Sequence, residues 1–122
     1  MTDILSSITI PGITWRKITD QIVTAIEGGI NYWATSLTRV EDVKTEASPW
    51  YDDEKFWAGS FKVKLVHEEG ETILTPDSIL KGLEYLAKDQ LWRIDQIVKE
   101  TGDAETADVF MQACVFGDIV YG

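Results

Sequence analysis

The chain predicts an α+β fold: a small antiparallel sheet of about three to four strands packed against three to four helices, the C-terminal helix central. Three observations predict it. Apolar side chains recur at helical spacing over 15–26, 79–98 and 107–115, while side chains alternate over 30–40 and 61–67, where β-branched and aromatic types are common. Thr75-Pro76-Asp77 and Asp103 read as helix starts, and Gly28 and Gly117 as helix ends. Ala107, Phe110, Met111, Cys114 and Val115 cover most of the last helix's circumference, the pattern of a helix buried on all sides. A chain of 122 residues, 44% apolar and 26% charged, fits one domain spanning 1–122.

From the N-terminus, residues 6–10 suit a short strand before the Pro11-Gly12 turn. Thr14 then caps a helix whose apolar face is Trp15, Ile18, Ile22, Ala25 and Ile26, although Arg16 and Lys17 sit at the wrong end of its dipole. Gly28 fits the left-handed residue that closes it, and Gly29 permits a sharp turn. Along the strand from Ile30 to Val40, Ile30, Tyr32, Ala34, Ser36, Thr38 and Val40 face one way, and Asn31, Trp33, Thr35, Leu37 and Arg39 the other. Neither face is purely polar, as in a strand covered on both sides or one bordering a pocket.

Residues 41–58 form a long polar segment carrying Trp50, Tyr51, Phe56 and Trp57 around an acidic run. It reads either as a functional loop or as a short helix over 52–57 with its aromatics tucked into the core. Phe61, Val63, Leu65 and His67 alternate with Lys62, Lys64 and Val66, giving a strand with one wet face. A hairpin turn at Gly70 leads into a return strand over 72–74. Ile79, Leu80, Leu83, Leu86 and Ala87 make the next helix face. Leu91, Ile94 and Val98 continue to a helix closed at Thr101-Gly102, with Trp92 at core spacing. After the central helix, Ile119-Val120-Tyr121 suits a short strand.

The net charge of −10 argues against direct nucleic-acid binding, which needs clustered lysine and arginine. Residues 1–40 balance three acids with three bases, so 41–122 hold the other 18 of 21 acids and 8 of 11 bases. That acidity serves solubility, or steers a basic partner. One cysteine, no basic leader followed by an apolar run, and no stretch of membrane-spanning length together predict a protein of a reducing cytoplasm without membrane contact.

No residue set spells out a reaction. His67 beside Glu68, Glu69 and Glu71 lacks converging ligands, and an ordinary exposed hairpin is the expectation. Asp52-Asp53-Glu54 lacks the spacing of a calcium loop. Cys114 falls on an apolar helix face, where cysteine is a small hydrophobe. Gly28-Gly29 follows a helix rather than preceding one, the wrong order for a phosphate loop. No catalytic residue, metal or cofactor is implied. The aromatic content is more informative. Trp15 and Trp92 fit the core, whereas Trp33, Trp50 and Trp57 fit equally core packing or a platform for a ligand or partner. A binding site would combine Asn31, Tyr32, Trp33, Arg39, Trp50, Tyr51, Trp57, Lys62 and Lys64.

Two segments carry a family likeness. Glu27-Gly28-Gly29-Ile30-Asn31-Tyr32-Trp33 and the C-terminal run from Ala107-Asp108 through Gln112 and Phe116-Gly117-Asp118 to Val120-Tyr121-Gly122 resemble a widespread family of small tailed-phage and prophage proteins. That family shares an EGG-I-x-YW junction and a closing FG-[ED]-x-V-Y-G, and the likeness includes the helix around Leu80-Lys81-Gly82. The resemblance implies an accessory protein in the cytoplasm of an infected bacterium, with no assigned activity. Two binding roles in counter-defence follow as expectations: sequestering a nucleotide-derived small molecule, or blocking a host defence protein, in one form as an acidic DNA mimic. A virion or assembly component is a further reading, and a homo-oligomer would cover flat aromatic faces.

Overall fold

The computed structural model describes residues 10, 12–40 and 47–122; the strand expected over 6–10 falls almost wholly outside them. A three-stranded antiparallel sheet, order β1-β2-β3, is built from Ala34–Arg39, Val63–His67 and Gly70–Leu74. The described residues also form five helices: α1 (Trp15–Thr24), a short α2 (Glu54–Ala58), α3 (Pro76–Asp89), α4 (Leu91–Lys99) and α5 (Ala104–Phe116). The predicted α+β architecture is the observed one. Among the described residues no helix is long and apolar enough to cross a membrane.

The helix boundaries follow local chemistry. Thr14 caps α1 by accepting from the Lys17 amide, and Asp103 caps α5 by accepting from Glu105 and Thr106. Pro76 opens α3, where Ser78 Oγ accepts from the Thr75 amide. Lys17, badly placed for the α1 dipole, instead donates to the carbonyls of Gly12 and Val98 and ties α1 to the end of α4. Gly117 ends α5 in the left-handed region (φ 70°). In α5, all nine residues from Thr106 to Cys114 are buried, so the helix with the broadest apolar pattern is the central one.

Several local expectations are corrected. At the end of α1, Gly28 is extended (φ 174°) and not left-handed. The helix instead runs out through a π-turn, Ala25–Gly29, closed by the Ile30 amide on the Ala25 carbonyl. Glu100, not Gly102, takes the left-handed position after α4 (φ 55°). β1 begins at Ala34, because Ile30 to Trp33 fold into a turn. A bulge at Thr35 breaks its alternation, so Ala34 and Leu37 both turn inward while Thr35 and Ser36 are exposed.

In the acidic segment, the short-helix reading holds for residues 54–58. Asp53 caps α2, and Phe56 and Trp57 are buried. Residues 119–121 are not a strand; a side chain on α5 holds them.

Candidate binding surface

The segment Glu27–Trp33 and the C-terminal segment from Ala107 to Gly122 meet in one hydrogen-bonded network. Gly29 lies so close to α5 that an added Cβ would stand 2.9 Å from the Ala104 carbonyl, and this contact sets the following turn against that helix. Tyr32 and Trp33 then reach Asp108. Its Oδ1 accepts from Trp33 Nε1 (2.7 Å) and Gln112 Nε2 (2.9 Å), and its Oδ2 from the Tyr32 hydroxyl (2.5 Å). The Gln112 amide also holds the C-terminal segment in place of a neighbouring strand. Its Oε1 accepts from the Val120 and Tyr121 amides, and its Nε2 donates to the Tyr121 carbonyl. Trp33 is 1% exposed, stacked on Tyr121 with ring centres 5.7 Å apart.

The Tyr32 hydroxyl is pushed up to about 12, chiefly by desolvation and then by its hydrogen bond and charge contact with Asp108. Its folded pKa lies above the unfolded value of about 10. The stability it contributes is therefore full below about pH 10 and lost as pH rises through about 12. Between those limits, unfolding free energy should fall more steeply in the wild type than in Tyr32→Phe. Equal slopes in denaturant titrations across that range would refute this.

Beside the network, Tyr32, Arg93, Glu105, Asp108 and Tyr121 line an open cleft of about 710 Å³. Its one guanidinium already serves the protein: Arg93 is buried, pairs with Glu105 (2.7 Å), and donates to Thr106 Oγ1 and Gln96. Two carboxylates in the same wall disfavour a phosphate there.

A second, smaller cavity of about 210 Å³ lies where the π-turn, β1 and the acidic segment converge. Ile26, Ile30, Leu37, Leu65 and Trp50 supply its apolar wall; Asn31, Thr35, Ser36 and Tyr51 also line it. Arg39 stands at its rim, with its guanidinium carbon 5.3 Å from the centre of the Trp50 ring. Tyr51 donates its hydroxyl to Glu27. The volume is below the roughly 300–1,000 Å³ of a drug-sized site, and among the described residues no lysine or arginine lines it.

The nine residues expected to form one site are thus distributed. Asn31, Trp50 and Tyr51 line the small cavity with Arg39 beside it, while Tyr32 faces the larger cleft. Trp33 and Trp57, each 1% exposed, are core, because each indole N–H finds an internal acceptor: Asp108 for Trp33, and the Tyr51 carbonyl for Trp57. Lys62 and Lys64 alternate with the buried Phe61, Val63 and Leu65, so they lie on the opposite face of the sheet; Lys64 pairs there with Glu71.

Trp92, expected in the core, is 55% exposed beside Leu91 at 64%. The Arg93 guanidinium carbon stands 3.8 Å from the Trp92 ring centre and holds that ring in place. Asp108 and Gln112 belong to the C-terminal motif, yet nothing in their spacing shows that they bind Tyr32 and Trp33.

The groups with chemical potential are otherwise engaged. His67 is buried rather than exposed. Its Nδ1 accepts from the Glu69 amide, its Nε2 contacts Thr72 Oγ1, and its ring meets Phe116 edge-on. Burial pushes the Cys114 thiol up, away from thiolate chemistry. Among the described residues no three of His, Cys, Asp and Glu gather to hold a metal. None of the family models, curated proteins or solved structures compared with the chain matches it.

Proposed function

We propose that the protein is a non-enzymatic phage accessory protein that acts inside the infected bacterium by binding a basic host protein, in the manner of a counter-defence factor. The setting comes from the resemblance of its two motifs; the mode of action is supported by the α4 face. Leu91 and Trp92 stand exposed side by side, and Ile10, Ile94 and Val98 continue an apolar groove beneath them. Tryptophan and arginine dominate binding hot spots, and a ring already packed on Arg93 loses little freedom on docking.

Asp95 lines the groove, and the chain as a whole carries a net charge of −10. A net negative charge of that size speeds encounter with a positive surface and disfavours negative ones. The sequestering alternative has less support. Its cavity is small, with no lysine or arginine among its described lining residues and Arg39 only at the rim, and two of the indoles that would have formed its platform belong to the core.

Association with the basic partner should weaken steeply between about 50 and about 500 mM salt. Trp92→Ala should weaken it about 30-fold, the equivalent of about 2 kcal/mol, while leaving the fold intact. The measurement is affinity capture from host extract at both salt levels, with captured proteins identified by mass and the affinity of the purified pair then determined. Capture insensitive to both salt and Trp92→Ala would overturn the reading.

A further inference from the structure

The geometry points to a second docking element: we propose that the outer edge of β1 accepts an extended segment of a partner protein as a fourth strand, with one apolar side chain entering the cavity beside Trp50. This rests on the protein-binding reading, but on a different face from Trp92.

The ladder defines the edge. Val40 donates its amide to the Lys62 carbonyl (3.0 Å), and the register pairs Thr38 with Lys64 and Leu37 with Leu65. In an antiparallel ladder, alternate residues turn their backbone groups toward the neighbour. Val40, Thr38 and Ser36 therefore bond to β2, and the N–H and C=O of Leu37 point out of the sheet. No described backbone pairs with them, since β1 ends the strand order. Such an edge is a template for another chain, and edges are commonly blunted by charge or proline. Thr35, Ser36, Leu37 and Thr38 carry neither; the one charge on the strand is Arg39 at its end, whose guanidinium is turned onto the Trp50 ring.

The side chain of Leu37 lines the cavity with Trp50 and Leu65. A residue placed opposite Leu37 would exchange both backbone hydrogen bonds with it and direct its own side chain to the same face, into the cavity. About 210 Å³ suits one aliphatic or aromatic side chain and not a nucleotide. Charge indicates the rest of the segment. Asp52, Asp53 and Glu54 directly follow Tyr51 of the cavity wall, and Glu27 accepts from the Tyr51 hydroxyl. The fitting occupant is an extended segment with an apolar centre and basic flanks.

The probe is a capped peptide of about nine residues, alternating lysine with β-branched residues around a central phenylalanine. It is added to the full-length protein and followed by amide hydrogen exchange and backbone resonances. Saturating peptide should slow exchange of the Leu37 amide at least about tenfold and leave the Ile73 amide, on the opposite edge strand, unchanged. Replacing the central phenylalanine by alanine should weaken binding about tenfold or more. Methylating that residue's backbone nitrogen, which removes its donor without altering the protein, should do the same. Leu37→Pro should abolish binding, since an outward-facing edge position tolerates proline.

Equal binding of the methylated peptide, or no change at Leu37, would overturn the proposal. So would a Leu37 amide already protected in the free protein, which would mean that the chain's own segment fills the edge. Protection that appears with protein concentration alone would assign the edge to a second copy and also overturn it. Trp92→Ala should leave peptide binding intact. If it does, and capture from host extract nevertheless ignores Trp92, the α4 reading fails while the edge proposal stands.

Discussion

Asp108→Ala should lower the thermal midpoint by about 10 °C, the equivalent of about 3 kcal/mol in a domain of this size. The carboxylate is the common acceptor of Tyr32, Trp33 and Gln112. Its removal leaves the Trp33 indole N–H buried with no acceptor, a cost of about 1–3 kcal/mol by itself. It also frees the Gln112 amide that fixes the C-terminal segment. Asp108→Asn keeps one carbonyl acceptor but turns an NH₂ toward a donor, so its loss should be intermediate. Near-ultraviolet circular dichroism reports the Trp33–Tyr121 stack directly and should weaken in the same order. An alanine variant within about 1 kcal/mol of wild type would show that the network is incidental to folding.

Gly82→Ala should destabilise by about 2–3 kcal/mol, although alanine is the better helix former by about 1 kcal/mol. Gly82 lies in the middle of α3 where it crosses α5. An added Cβ would press into Cys114 Sγ and lie 3.0 Å from the Cys114 nitrogen and 3.1 Å from its Cα. A side chain can turn aside, but the backbone of the central helix cannot, so the clash outweighs the propensity gain. Cys114→Ala removes the sulfur and leaves the backbone contacts. The double variant should therefore be more stable than the two single losses predict, by about 1 kcal/mol in a denaturant cycle. A Gly82→Ala protein as stable as wild type would mean that α3 and α5 do not approach this closely.

The two positions serve different contacts of α5, Asp108 the hydrogen-bonded network and Gly82 the crossing with α3. Tyr32, Trp33, Asp108, Gln112 and Tyr121 form a single unit, although Trp33 and Asp108 are 75 positions apart. The double glycine serves the same unit, since Gly29 lets the turn lie against α5.

The aromatic residues show where local reading stops. Trp15 and Trp92 share the helical spacing of a core, yet Trp15 is buried and Trp92 is not. The reason is Arg93. Thr106, Glu105 and Gln96 satisfy its Nη groups, so the guanidinium takes the inward stripe of α4 with Ile94 and Ile97, and Leu91 and Trp92 rotate outward. Spacing alone treats an arginine as exposed. His67 misleads in the same way, because its partners Thr72 and Glu69 are recognisable only once the hairpin has folded.

What the sequence determined by itself is whatever neighbouring residues decide: the caps at Thr14 and Asp103, the Gly70 hairpin, the left-handed Gly117, and the burial of α5. Hydrogen-bond partners a few residues away, and apolar periodicity along one element, are enough for these. What only the tertiary structure decided is which polar and aromatic groups went inside. A buried indole, guanidinium or imidazole needs an acceptor or donor brought from a distant segment, and its cost is set by whether that partner arrives. Trp33 is core because Asp108 meets it, and Trp92 is surface because Arg93, with partners of its own, takes the inward position.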